Sequence, residues 1–377
     1  MSANNDAVGS STAPPHSSCA PDVLRTWGWD EVRTVEFAPF LRNGLWPARV
    51  VAQHRGLWHL VGEGRETAAF PTGRFRHNAD EGDLPAVGDW VGCVSSPQGD
   101  AARIDIVLTR RSAFRRRAPG SRVGAQIPAA NVDTLFVATS LNGDLNPRRL
   151  ERYVAMGRES GAEPVVLLTK ADLVPDPIGP VARLEAEFRV RAVAVISQTG
   201  AGVDSLAPWF GSGRTLALVG SSGVGKSTLL NRLAGEELMA TREIREDDAR
   251  GRHTTTHREL FLLSSGALLL DTPGMRELGL WDADEGIDET FAEIVELAAG
   301  CRFADCSHRF EPACSVRAAV SAGRLDAARL KSYRRLVHEL AGQPSTTQRR
   351  ERDRRFQKAV RNAASDSMAR KRYVGWE

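Results

Sequence analysis

Cysteine is scarce in this chain, with five among 377 residues, which excludes the dense disulfide framework that holds small secreted domains together. Cys19 and Cys93 stand alone, whereas Cys301, Cys306 and Cys314 cluster. That pattern suits metal binding in a reducing compartment better than cross-linking. Long apolar runs are missing too, and no uninterrupted stretch reaches the length a helix needs to span a bilayer. The first twenty residues, MSANNDAVGSSTAPPHSSCA, lack both the basic start and the apolar segment of a secretion signal, and Asp6 is their one charged side chain. Residues 1–24 therefore read as a floppy polar tail on a cytoplasmic protein. Net charge is small: 50 Lys and Arg against 47 Asp and Glu leave +3, so the average says little about partners. No internal repeat is evident.

What is present is the composition of a soluble globular protein, with 42% hydrophobic and 26% charged residues. Its length allows two or three domains, each with its own core. Positive charge is local. Arg110, Arg111, Arg115, Arg116, Arg117 and Arg122 crowd TRRSAFRRRAPGSR, and a second basic stretch runs from Gln348 to Tyr373. Each is either a surface for nucleic-acid phosphates or simply a solvated face or tail.

From about Leu45 to Leu108, short strand-like runs are punctuated by turn residues: ARVVAQHRGLWHLVGEG, ETAAFPTGRF and PAVGDWVGCV. They predict a small β-barrel or sandwich, with Trp58 and Trp90 in its core rather than stacking on bases. RRRAPGSRVGAQIPAA reads as a linker or exposed loop. From Asn131, apolar strands alternate with amphipathic helices, which predicts a mainly parallel sheet covered by helices. The helical pieces are PRRLERYVAMGRESG, PVARLEAEF and VDSLAPWF, and RELFLLSSGALLLDTPG reads as two strands joined at Ser264–Gly266. After Gly274 the strands stop, and DETFAEIVELAAG, SVRAAVSAG and LDAARLKSYRRLVHEL read as helices around the cysteine cluster.

GSSGVGKS matches a phosphate-binding loop in full: Gly220, Ser221, Ser222, Gly223, Val224, Gly225, Lys226 and Ser227, followed by Thr228. Its glycines allow successive N–H groups to face phosphate oxygens at a helix N-terminus. Lys226 would neutralise the β- and γ-phosphates, and the Ser227 hydroxyl would bind Mg2+. DTPG follows an apolar strand, so Asp271 can hold the Mg2+ shell and the Gly274 amide can meet the γ-phosphate. In TKAD (Thr169, Lys170, Ala171, Asp172) the carboxylate can accept both donors of a guanine edge, which adenine cannot supply, while Lys170 packs along the base. Ser197 and Gln198, in SQTG after the next strand, can add an N–H to the guanine oxygen. Cys301, Cys306, His308 and Cys314 give C-x4-C-x-H-x5-C. Three thiolates and an imidazole meet the closed tetrahedral demand of one structural Zn2+, or else are ordinary buried residues.

The base-reading segments come before the phosphate loop, the reverse of an ordinary GTPase. Together with VGDWV, ANVDTLFVAT, GRHTTTH, DTPGMRELGL and CRFADCSHRFEPAC, they resemble the circularly permuted, ribosome-small-subunit-dependent GTPases of the RsgA (YjeQ) family from about Leu24 to Leu340. The resemblance implies an α/β fold: an OB-fold β-barrel (25–112), a permuted P-loop GTPase domain (113–280, with linker 113–130) and a helical zinc-binding domain (281–345), ahead of a basic extension (346–377). It implies GTP hydrolysis to GDP and phosphate, stimulated by the small ribosomal subunit late in its maturation, with rRNA as a partner; no membrane partner and a monomeric state are expected. A factor whose GTP state sets RNA affinity, with turnover secondary, is the alternative. Thr169 stands where Asn is commoner and Gln198 where Ala is. Many GTPases place a water-orienting Gln just after D-x-x-G; here Met275 stands there and cannot serve. The resemblance makes Thr255 the Mg2+-sensing threonine. His253 is the candidate for the catalytic, water-orienting role, or else an RNA-contacting surface histidine.

Overall fold

Leu24, expected within the polar tail, is completely buried, so the chain joins the fold earlier than composition suggests. The computed structural model describes residues 22–54, 56–79, 83–95, 101–117, 125–142, 145–221, 223–234, 258–271 and 284–341. Two helices lead in, α1 (Asp22–Thr26) and α2 (Glu31–Leu41). Asp30 caps α2 by accepting from the Arg33 N–H at 3.0 Å, satisfying one of the donors a helix start leaves over. Leu24, Trp29 and Phe37 pack with Trp90, Ile106 and Leu108, and Trp29 meets Trp90 edge-on at 4.9 Å.

Of the two expectations for the β-rich region, the structure selects the barrel. Strands β1 (Trp46–His54), β2 (Leu57–Gly62), β3 (Arg65–Pro71), β4 (Trp90–Val94) and β5 (Ala102–Val107) run in the order β1-β2-β3-β5-β4, and β4 pairs back onto β1. Closure leaves no exposed edge within the barrel. Trp58 and Trp90 are both 2% exposed, as the core assignment requires, and the Trp58 indole N–H donates to the Pro85 carbonyl at 2.7 Å. TGRF is not strand. Thr72 caps α3 (Gly73–Asn78), accepting from the Phe75 N–H at 3.1 Å, so a local hydroxyl cap ends the strand pattern.

The expected linker contains structure as well: β6 (Ala113–Arg117) and β7 (Ala125–Ala130) pair antiparallel as a separate ribbon. Phe114, 1% exposed, anchors it. Burial of one aromatic outweighs the polar look of its neighbours.

The second half follows the predicted alternation. Strands β8 (Thr134–Ser140), β9 (Glu163–Thr169), β10 (Arg191–Ala194), β11 (Thr215–Gly220) and β13 (Leu268–Asp271) lie in the order β10-β9-β8-β11-β13, all parallel, and β12 (Arg258–Leu262) adds antiparallel to β13. Every residue of β8 is buried, as in sheets covered on both faces. Between them run α4 (Pro147–Ser160), α5 (Ile178–Phe188) and α6 (Lys226–Ala234). Asn146 caps α4, with Pro147 in its first turn. VDSLAPWF forms a 3₁₀ helix at Val203–Trp209 containing Pro208, helical but more tightly wound. β12 also pairs with β1, Ala52 facing Glu259 and Gln53 facing Arg258, so barrel and sheet share one hydrogen-bonded ladder.

Helices α7 (Asp284–Thr290), α8 (Ala292–Ala298), α9 (Ser315–Ser321) and α10 (Ala327–Ala341) form the C-terminal part. The break between α7 and α8 falls at Phe291, which is fully buried. Helix α7 lies hard against α4: a Cβ at Gly286 would sit 2.3 Å from the Ala155 carbonyl oxygen. Glu151 of α4, itself without solvent exposure, accepts from Arg148 at 2.5 Å, Arg329 of α10 at 3.0 Å and the Ser332 hydroxyl. Arg329 also stacks over Phe291 at 4.6 Å and donates to the Thr290 carbonyl at 2.7 Å.

Candidate nucleotide site and metal centre

Because β8, β9, β10, β11 and β13 are parallel, their C-terminal ends share one edge, where ligands of open α/β sheets bind. Register places the motifs along it: Thr169 beside Ser140, Gly220 beside Ala138, Ala194 beside Leu168, and Asp271 one residue beyond the Ala217–Leu270 pair. The reversed order of motifs in the chain thus becomes adjacency in space.

Only glycine fits at Gly220, where φ is +146° and a Cβ would lie 2.3 Å from the Ala138 carbonyl oxygen. The loop then turns through Gly223 (φ +78°) and Gly225 (φ +91°) into α6. Val224 is buried beneath it; Ser227 and Thr228 are exposed at the helix start. The Lys226 ammonium donates to the carbonyls of Gly220, at 2.9 Å, and Ser221.

The base-reading segment touches this loop directly. The Thr169 hydroxyl lies 2.5 Å from the Val224 carbonyl and 3.1 Å from that of Thr139, and its single proton can serve one or the other at a time. A threonine therefore makes a loop-to-loop tie here. Lys170 takes a left-handed conformation (φ +55°), so the chain turns sharply; Ala171 is held by its N–H to the Val195 carbonyl at 3.4 Å, and Asp172 is exposed at the edge.

Ser197 is buried, with its Oγ lacking a hydrogen-bond partner among the described residues, and a Cβ at Gly225 would lie 3.6 Å from that oxygen. Arg232 of α6 donates to the carbonyls of Ser197, at 3.3 Å, and of Gln198. The helix launched by the phosphate loop thus holds the second base-side loop. Nothing in the sequence singles out Arg232, since an arginine one helical face beyond a phosphate loop carries no motif.

The backbone of Asp271 ends β13 at this edge, beside β11, the strand that leads into the phosphate loop. Ser222, His253, Thr255 and Gly274 lie outside the described residues.

Cys301, Cys306, His308 and Cys314 come together with all ligand atoms within 4.8 Å of one another. Cys301 Sγ lies 3.8 Å from Cys314 Sγ and 3.7 Å from His308 Nδ1, and Cys314 Sγ lies 3.5 Å from the same nitrogen. A Zn–S bond of about 2.3 Å at a tetrahedral angle requires sulfurs about 3.8 Å apart, so one Zn2+ fits. Cys314 also caps α9, accepting from the Arg317 N–H at 3.5 Å. Burial raises the Cys301 thiol, but the N–H groups of Val316 and Ser315 and the neighbouring thiols outweigh it and leave its pKa below the ordinary value. Burial holds His308 below the usual histidine range, keeping the ring neutral as a metal ligand must be. Four protein ligands leave no open position, so the centre is structural.

The basic cluster divides. Arg110 pairs with the buried Asp89, at 2.7 Å, and Arg111, itself exposed, with Asp30, at 2.6 Å, so both also hold elements together. Arg74 and Arg76 of α3 are exposed. Arg122 and the stretch from Gln348 to Tyr373 lie outside the described residues.

A model of the RsgA GTPase family matches residues 107–281. The small ribosomal subunit biogenesis GTPase RsgA of Opitutus terrae is 46% identical over 330 residues, covering 85% of this chain and 90% of that protein. RsgA 2 of Vibrio vulnificus is 46% identical over 356 residues, covering 93% and 97%. Among solved structures, YjeQ from Thermotoga maritima matches with a TM-score of 0.58 and 25% identity, over 80% of this chain and all of that one. YloQ, described as a circularly permuted GTPase, shares the fold with a TM-score of 0.54 at 22% identity. With identity this high over most of its length, the chain belongs to the RsgA GTPase family and is a GTP-hydrolysing enzyme.

Proposed function

We propose that this protein binds the small ribosomal subunit and hydrolyses GTP to GDP and phosphate as that subunit matures, acting as a monomer in the cytoplasm. The observation that carries the reading is the Thr169–Val224 contact at 2.5 Å, which sets the segment ending in Asp172 against the loop ending in Lys226. One guanine nucleotide then spans both. Asp172 accepts from the base edge with Lys170 along its face, Ala171 and Thr169 holding that turn and Ser197 and Gln198 closing the other side. Gly220 to Gly225, Lys226 and Thr228 surround the phosphates, and Gly274 meets the γ-phosphate. Ser227, Asp271 and Thr255 hold Mg2+, which when bound neutralises charge on the transferring phosphoryl group. His253 orients the attacking water in place of the missing Gln. Zn2+ on Cys301, Cys306, His308 and Cys314 stabilises the C-terminal helices.

The functional units are the barrel (25–112), the nucleotide domain (113–280), the zinc domain (281–345) and the basic extension (346–377), with barrel and extension engaging rRNA. A relative of 46% identity named a small ribosomal subunit biogenesis GTPase supports the partner. Single-turnover GTP hydrolysis with and without purified small subunits tests this. Stimulation that is lost in a His253→Ala variant is expected; a rate indifferent to subunits sinks the reading. If release from subunits is as fast with a non-hydrolysable analogue as with GTP, the protein acts chiefly as a GTP-regulated binding factor.

A further inference from the structure

The zinc loop displays a phenylalanine that the fold does not use. Phe310 is 88% exposed, yet its backbone is tightly held. Glu311 accepts from the N–H groups of Ser307, Arg309 and Phe310 at 2.9, 2.8 and 3.0 Å, and from the Ser307 hydroxyl. An apolar ring left in water costs hydration free energy, and Phe310 stacks on no other ring among the described residues, so its position asks for an external partner. Beside it lies a cleft of about 390 Å³ lined by Arg309, Arg334, Arg335, His338 and Glu339. Tyr333 of α10, 6.4 Å from the His308 ring centre to centre, sets the loop against that helix. Glu339, the acidic residue of the lining, is taken up by Arg152 through bonds of 2.8 and 2.7 Å. Arg309, Arg334 and Arg335 have no carboxylate partner among the described residues, so the cleft carries uncompensated positive charge. Nearby in sequence, Phe303 is 41% exposed with the Arg302 guanidinium 5.5 Å over its ring.

From this juxtaposition we infer that the zinc domain recognises an unstacked nucleotide of RNA, its base stacked on Phe310 and an adjoining phosphate in the Arg309–Arg334–Arg335 cleft. A rigid aromatic next to guanidinium groups is how proteins take up bases splayed from bulges and loops. Duplex RNA hides its base faces and offers Phe310 nothing. A protein partner would call for a wider apolar patch about the ring, whereas the chain neighbours of Phe310 are Arg309 and Glu311. The inference rests on the proposed engagement with rRNA and deepens it.

The test uses zinc-loaded full-length protein and two RNA hairpins, one carrying a single unpaired 5-iodouridine and one fully paired. Phe310→Ala is expected to weaken binding of the bulged hairpin about 5- to 150-fold, the span of base–aromatic stacking, and that of the paired hairpin little. Phe310→Trp should retain affinity, and photocrosslinks should map to the peptide containing Phe310. Arg334→Ala with Arg335→Ala should weaken both hairpins and lower the salt slope by about 0.7 per lost phosphate contact. Basal GTP hydrolysis and zinc content should not change in any variant. Equal affinities for both hairpins in wild type and Phe310→Ala, or crosslinks confined to other peptides, would overturn the inference. So would weakened binding of Phe310→Ala to intact subunits with naked RNA unaffected, which would assign the ring to a ribosomal protein. Subunit stimulation of hydrolysis is read separately: its loss in the wild type removes the functional proposal, whereas a missing crosslink with stimulation intact removes only this one.

Discussion

Thr169 shows how much one hydroxyl can hold. It faces two buried carbonyls, those of Val224 and Thr139, and Thr169→Val keeps its shape while deleting the hydroxyl that donates to Val224. Leaving a buried acceptor unpaired costs about 1–3 kcal/mol. The variant should therefore melt earlier in denaturant and bind GDP at least several-fold more weakly, as read by titration calorimetry. An unchanged GDP affinity would mean that the tie is irrelevant to the pocket. Asp172 acts on the nucleotide itself. Two hydrogen bonds to a charged acceptor are worth about 1.5–3 kcal/mol each, so Asp172→Ala should lose roughly a hundredfold or more in GTP affinity with ATP binding unaffected. Parallel losses for both nucleotides would point to collapse of the loop instead.

At the scale of elements, the α4–α10 contact and the zinc loop decide how the C-terminal helices sit. Glu151 is buried between Arg148, Arg329 and Ser332. Breaking a buried ion pair by removing one member typically costs about 3–5 kcal/mol, whereas replacing both by apolar groups costs far less. Glu151→Ala should therefore lower unfolding stability by about 3–5 kcal/mol in urea, and Glu151→Leu combined with Arg329→Met should recover most of it. The zinc loop has a pH sign that can be worked out. Burial depresses the folded-state pKa of His308 below 6.5, so the folded protein binds fewer protons there than the unfolded chain. Its contribution is complete above about pH 6.5 and is lost as pH falls through the lower folded value. Metal-stripped protein should lose α9 packing across that window, followed by NMR of the helix amides, and added Zn2+ should move the loss to lower pH.

Across the whole molecule, one fully buried arginine joins three parts of the chain. Arg49 of the barrel donates to the Trp27 carbonyl and, at 2.8 Å, to the Thr215 hydroxyl at the start of β11, the strand that ends in the phosphate loop. Its guanidinium lies 5.1 Å from the centre of the Trp90 ring. Burial pushes its pKa down to about 10, with Asp133 opposing, so it stays charged at neutral pH. Arg49→Ala should cost about 3 kcal/mol or more. Although β1 is also bonded to β12, the loss should appear as barrel and sheet melting apart in calorimetry. One cooperative transition at an unchanged temperature would show that the ladder suffices without Arg49.

Much of this was legible in residue order. GSSGVGKS needs its glycines wherever it occurs, because the backbone must pass Ala138 at 2.3 Å from a would-be Cβ. The parallel strands announced themselves as unbroken apolar runs, and the zinc ligands as the one gathering of thiols. Local chemistry of this kind depends on near neighbours, and sequence records neighbours. The long-range partners of individual residues were not legible. Arg110 and Arg111 look like their basic surroundings, yet face Asp89 and Asp30; Arg232 carries no motif, yet holds Ser197 and Gln198. Leu24 ends a polar tail, yet completes a core. Each of those roles is set by a partner distant along the chain, and a charge shows its partner only once folding has brought the two within hydrogen-bond reach.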